Sequence, residues 1–163
     1  MTLPTVPVLE RCSSPAWSTT RAEVAVVVST HGRSGYLAGL LQGLDAQDRS
    51  AFQVLVVDNG STDATWAVLT TWLAATDLPA LGLRIGYCDS PAVPRNTAVA
   101  LSCATLLAFT DDDCLPSPGW LTALTAALSG GAAVVQGQTV PQVGGWGGPW
   151  GRTLTITGLT GLY

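Results

Sequence analysis

Lysine is absent from the 163 residues, and the seven cationic side chains, Arg11, Arg21, Arg33, Arg49, Arg84, Arg95 and Arg152, are scattered rather than gathered. With a net charge of -4 and no basic cluster, the chain lacks the phosphate-neutralising surface on which nucleic-acid affinity rests, so no nucleic-acid partner is expected. A phosphorylated ligand would have to lean on backbone amides and a metal ion. The four cysteines, Cys12, Cys88, Cys103 and Cys114, make neither a Cys-x-x-Cys spacing nor a disulfide framework. They read as reduced, buried thiols of a cytoplasmic protein. His31 is the only histidine, which leaves no histidine pair for a zinc site. Long apolar runs are missing as well. The longest, Thr97 to Phe109, falls short of the roughly 20 residues of a bilayer span, so no transmembrane segment is expected, and peripheral attachment to a membrane is left open. Met1 to Trp17 holds three prolines and an acid without an apolar run, and residues 1–22 are expected to form a flexible arm.

What is present is apolar: 47% of residues are hydrophobic and only 11% charged, enough to pack one domain and too little charge for disorder. Val24 to Ser29 is a β-branched run of strand length. From Ser34, Leu37, Leu40, Leu41 and Leu44 fall at helical spacing. Phe52 to Val57 predicts a second strand, Asp58 to Asp63 turn chemistry, and Ala64 to Ala75 a helix carrying Trp66, Leu69 and Leu73. A third strand over Leu83 to Tyr87 leads into a small-residue helix from Arg95 to Cys103. Leu106 to Thr110 predicts a fourth strand, Pro118 to Leu128 a helix, and Ala132 to Gln136 a further strand. Alternating strands and helices imply an α/β fold whose mostly parallel sheet is covered by helices on both faces. After Gln138 the regularity fails, and Gly144 to Gly151 has no period.

In such sheets ligands gather at the carboxyl ends of the strands, where Thr30 to Arg33, Asp58 to Asp63 and Asp111 to Asp113 all fall. Asp111, Asp112 and Asp113 follow a buried strand directly, and their mutual repulsion makes a shared cation the natural relief. If the backbone stays extended there, Asp111 and Asp113 point one way and Asp112 the other. Hard carboxylate oxygens suit Mg²⁺ or Mn²⁺, which keep positions open for diphosphate oxygens. Asp58 ends its strand before the turn-forming Asn59 and Gly60, either as an acceptor for a base N–H or as part of the turn itself. Asp63 is expected to cap the following helix, with Ser61 and Thr62 as rivals.

The ordered series VAVVVSTHGR, VLVVDNGSTD, SPAVPRN and LLAFTDDDC resembles the motif set of family 2 glycosyltransferases, a resemblance that covers residues from about 23 to 138. That resemblance implies a Rossmann-like GT-A sheet and a nucleoside diphosphate sugar donor, taken here as a UDP-sugar, with Mn²⁺ or Mg²⁺ as cofactor. By the same resemblance Thr30, His31 and Arg33 lie along the nucleotide, Asp58 contacts the base and Asp111 lies on the ribose side. Asp112 belongs to the same nucleotide-sugar site, Asp113 with Asp111 holds the metal, and Arg95 begins the helix beside the donor. Gly32 stands where the family often has asparagine, and Ser90 and Ala98 where glycine is frequent.

Inverting transfer needs a base for the acceptor's proton, and no Asp, Glu or His follows Asp113, so no catalytic residue is identified. Residues 23–138 are read as the nucleotide-sugar-binding domain, and 139–163 as an irregular Gly/Trp-rich tail standing for an incomplete, truncated acceptor region. Three readings follow: a fragment of an enzyme acting on an unknown acceptor, a module that binds donor without turnover, or a chain whose acceptor site a partner chain completes. A dinucleotide oxidoreductase would need a glycine fingerprint that Thr30 to Gly35 lacks. Aspartate-based phosphoryl transfer would place its nucleophile after the first strand rather than the fourth.

Overall fold

The structure is a computed structural model that describes residues 6–18, 22–49 and 51–141, and the backbone of 154–162. The chain divides into two compact units, residues 1–38 with 51–112 and residues 39–50 with 113–163.

The first unit is built on five strands, β1 (Val8–Ser13), β2 (Val24–Thr30), β3 (Phe52–Asn59), β4 (Ala80–Ile85) and β5 (Leu106–Asp111), ordered β1-β4-β3-β2-β5. The pairs β2–β3, β3–β4 and β2–β5 are parallel, and β1 closes one edge antiparallel to β4. Val24 to Val28 and all of β3 are buried, as a β-branched run covered on both faces requires. One face of the sheet, Ala25, Val27, Leu55, Val57, Leu81, Leu83 and Ile85, packs with Ala98 of helix α3 (Ala92–Val99). The opposite face belongs to α2 (Thr65–Ala75): a Cβ on Gly82 would lie 2.7 Å from Leu73 Cδ1, so the missing side chain lets Leu69 and Leu73 seat on β4. Because strand residues alternate in direction, helices cover both faces. Each fully buried leucine contributes about 1.5–3 kcal/mol, so this two-sided packing holds the strand ends in fixed register.

The second unit contains β6 (Cys114–Pro116), α4 (Trp120–Ser129), β7 (Val135–Pro141) and β8 (Leu154–Leu162), with sheet order β6-β8-β7. Helix α1 (Ser34–Asp45) starts in the first unit and ends in the second, and Leu37, Leu40, Leu41 and Leu44 are all buried, as their spacing predicts. Past α1, Gln47 Oε1 accepts from Leu121 N and Gln47 Nε2 donates to Ser117 O, satisfying backbone groups around the start of α4.

Several expectations need correction. Residues 8–13 of the expected flexible arm form β1, hydrogen-bonded along β4. The expected irregular tail contains the end of β7 and the whole of β8, while Gly144 to Gly151 lies outside the described residues. β4 begins at Ala80 rather than Leu83, and α3 spans Ala92–Val99 rather than Arg95 to Cys103. Among the described residues no helix is long and apolar enough to cross a membrane.

Candidate functional site

Parallel pairing aligns the carboxyl ends of three neighbouring strands: Thr30 on β2 lies opposite Asp58 on β3, and Ser29 opposite Asp111 on β5. The polar loops therefore leave the sheet along one edge, where the two-sided core can no longer cover them.

The loop after β2 turns through Gly32, whose φ of +62° favours glycine and, next best, asparagine. The departure from the family pattern at this position is thus one backbone requirement met by two residue types. Thr30 Oγ1 donates to Asp112 Oδ2 at 2.7 Å, and Arg33 pairs with Asp112 Oδ1 at 3.1 Å. Asp112 is only 4% exposed, so its carboxylate ties the end of β2 to the end of β5. His31 Nδ1 meets the Asn59 carbonyl at 2.8 Å. A carbonyl only accepts, so Nδ1 carries the proton, and in the neutral ring Nε2 is the acceptor.

The turn after β3 is closed tightly. Gly60 has φ +68°, and a Cβ there would sit 2.6 Å from Tyr87 N, so only glycine fits. Asp58 is wholly buried beneath this turn: Oδ1 accepts from Ser61 N at 3.0 Å, and Oδ2 lies 3.4 Å from Arg84 Nε. Asp58 thus takes part in its own turn. Asn59 bonds both backbone groups of Cys88, its amide nitrogen donating to the carbonyl at 2.8 Å and its oxygen accepting from N at 2.9 Å. Ser61 Oγ accepts from Gly32 N at 2.9 Å, which joins the β3 turn to the β2 loop. The exposed ring of Tyr87 lies 4.8 Å from that of His31, centroid to centroid. Asp89 accepts the hydrogen bond of the Tyr87 hydroxyl and adds its charge, raising the phenol above its ordinary value.

The aspartate triplet is not extended. Asp111 ends β5, the chain turns at Asp112 and Asp113, and β6 starts at Cys114. The turn carries Asp112 inward onto Thr30 and Arg33, and Asp111 is left outside with its side chain 60% exposed. Arg95, in the first turns of α3, pairs with Asp111 at 2.5 Å. Asp113, partly buried, opens the second unit. Thus Thr30, Arg33 and Asp112 form one cluster, His31 joins Asn59 and Tyr87, Asp58 joins Arg84, and Arg95 joins Asp111. Arg84 and Tyr87 were not singled out from the sequence, and Asn59 and Ser61 were named only for the turn and for helix capping. For Arg84 the signal was there, a lone cation inside the apolar run ALGLRI.

An α/β sheet with its polar loops gathered on one strand edge defines a class, and comparison with known proteins supplies the family. The sequence profile described as Glycosyl transferase family 2 matches residues 25–160, and the chain belongs to that family. Glycosyltransferase AglE of Haloferax volcanii is 31% identical over 109 residues, 66% of this chain and 36% of that protein. Poly(ribitol-phosphate) beta-N-acetylglucosaminyltransferase TarS of Staphylococcus aureus is 31% identical over 91 residues, 55% of this chain and 16% of TarS. The chain thus spans well under half the length of these relatives. The crystal structure of S. aureus TarS in complex with UDP-GlcNAc superposes with a TM-score of 0.64 at 27% identity, covering 74% of this chain and 37% of that one. The mannosyltransferase PcManGT of Pyrobaculum calidifontis, in complex with GDP-Man and Mn²⁺, shares the fold, with a TM-score of 0.53 at 23% identity over 83% of this chain and 39% of that one.

Proposed function

We propose that this chain holds a nucleoside diphosphate sugar of the uridine class together with Mn²⁺ or Mg²⁺, for inverting transfer of the sugar to an acceptor. The observation that carries the reading is the convergence of the β2 loop, the β3 turn and the Asp111–Asp112 end of β5 on one edge of the sheet. The UDP-GlcNAc bound by TarS supports the uridine choice. In this reading Thr30, His31 and Arg33 line the nucleotide, with Asp112 fixing Thr30 and Arg33. Asp58 shapes the turn from beneath. Arg95 exchanges its Asp111 carboxylate for a donor phosphate.

In this reading the exposed Asp111 and the partly buried Asp113 would offer carboxylates to a hard cation, since such ions at diphosphates take one or two protein carboxylates with phosphate and water oxygens. No group of three His, Cys, Asp or Glu side chains able to hold a metal occurs among the described residues, and donor phosphates and water would supply the remaining ligands of a bound ion. A bound cation would neutralise the leaving nucleoside diphosphate.

Calorimetry with UDP and Mn²⁺ tests the assignment. Binding heat is expected for the chain and should vanish for Asp113→Ala or on chelation of the metal. Undiminished binding in either case counts against it.

A further inference from the structure

We propose that Arg84, which lies outside the donor motifs, is a positioning residue for the nucleotide: its guanidinium holds the β3 turn, and through that turn the β2 loop, in the shape that receives the nucleoside. The inference rests on the donor-site reading and adds a residue to it. Arg84 stands near the end of β4, opposite Asp58 in the parallel register. Its fork meets three elements at once. Nε lies 3.4 Å from the buried Asp58 Oδ2, one terminal nitrogen donates to Ser61 O at 2.9 Å, and the other pairs with Glu10 Oε1 on β1 at 2.8 Å. The cation also sits 5.8 Å from the ring centroid of Trp66, in the first turn of α2.

What Arg84 holds in turn holds the pocket. Ser61, gripped by its carbonyl, accepts from Gly32 N through its hydroxyl, and Asn59 of the same turn supplies the carbonyl that fixes His31. Guanidinium to turn to loop is thus an unbroken series of polar contacts ending on the His31 ring. Lysine would keep the charge beside Asp58 but, with one ammonium in place of a planar fork, cannot serve Asp58, Ser61 and Glu10 together.

His31 is the only histidine in the chain, so its imidazole nitrogen resonances are a probe that needs no assignment. For Arg84→Lys the expected result is displaced His31 resonances in the free protein and UDP affinity lower by about tenfold, the worth of a single charge-assisted hydrogen bond. If either reading stays at the wild-type value, Arg84 is only a structural ion pair and the inference falls. Should the lysine variant fail to fold, Glu10→Gln decides. It removes an exposed pair of little weight in stability, and it should leave the thermal midpoint in place, move the His31 resonances and weaken UDP by about twofold. Unmoved resonances in that variant overturn the inference. If the wild type itself binds no UDP, the donor-site reading fails, and the His31 comparison in the free protein still decides whether Arg84 shapes the loop.

Discussion

At the end of β3 the carboxylate of Asp58 is fully buried, roofed by its own turn and faced by Arg84. At the end of β5, Asp111 leaves the sheet with its side chain 60% exposed and a single short contact to Arg95. Both strands flank β2 and finish on the same edge, so the difference is one of construction rather than place. A buried, hydrogen-bonded carboxylate fixes backbone shape in advance of any ligand, whereas an exposed one keeps its hydration and can exchange partners at little cost. The β3 end is built as a mould and the β5 end as a hand.

The largest effect that would separate them is on stability. Asp58→Ala should cost about 3 kcal/mol in urea unfolding, the low part of the range for breaking a buried pair, because Arg84 keeps 30% of its side chain exposed. Asp111→Ala should cost under about 0.5 kcal/mol. Equal losses at the two positions would erase the distinction between mould and hand.

The two left-handed glycines sharpen the comparison one step down. Gly60 has the Tyr87 backbone against it, so Gly60→Ala adds a clash to the conformational cost and should lose roughly 2 kcal/mol or more. Gly32, at φ +62° with nothing within 4 Å of its missing Cβ, should accept asparagine for less than about 1 kcal/mol. Thermal unfolding of the two variants side by side reads this, and a Gly32→Asn loss as large as that of Gly60→Ala would mean the β2 loop is as closed as the β3 turn.

The sequence carried the strand–helix alternation because β2 and β3 are β-branched runs buried on both faces and α1 shows its leucine stripe directly. It concealed β1, since VLERCS lies on the sheet edge, is largely exposed and is held by main-chain pairing that leaves little hydrophobic pattern. Pro94 hid the start of α3. A proline reads as a helix break, yet in the first turn its missing N–H would have had no intrahelical partner. Gly82 hid the start of β4, because its role lies in the approach of Leu69 and Leu73 from a distant helix. At the candidate site the motif order was legible, and the orientations were not. Asp112 turns inward because Thr30 and Arg33, some 80 positions earlier, wait there for it, and no local pattern encodes that contact.

The smallest expected effect concerns Asp63, which stands outside both the mould and the hand and serves two helices at once. Its Oδ1 accepts from the Thr65 hydroxyl and backbone N–H at the start of α2, and its Oδ2 accepts from Ser34 N at the start of α1. These bonds, the Thr65 hydroxyl foremost, favour the ionised form and lower its pKa below the ordinary 3.8. A carboxylate depressed in the folded state contributes its full stability above 3.8 and loses it as pH falls through the lower folded value. Asp63→Asn keeps the size of the side chain and removes the titration. The variant should therefore be slightly less stable than the wild type at neutral pH, and the gap should close as the solution is acidified below 3.8. A gap that stays constant through that window would show that Asp63 holds the two helix starts by shape alone, with no share for the charge facing their amides.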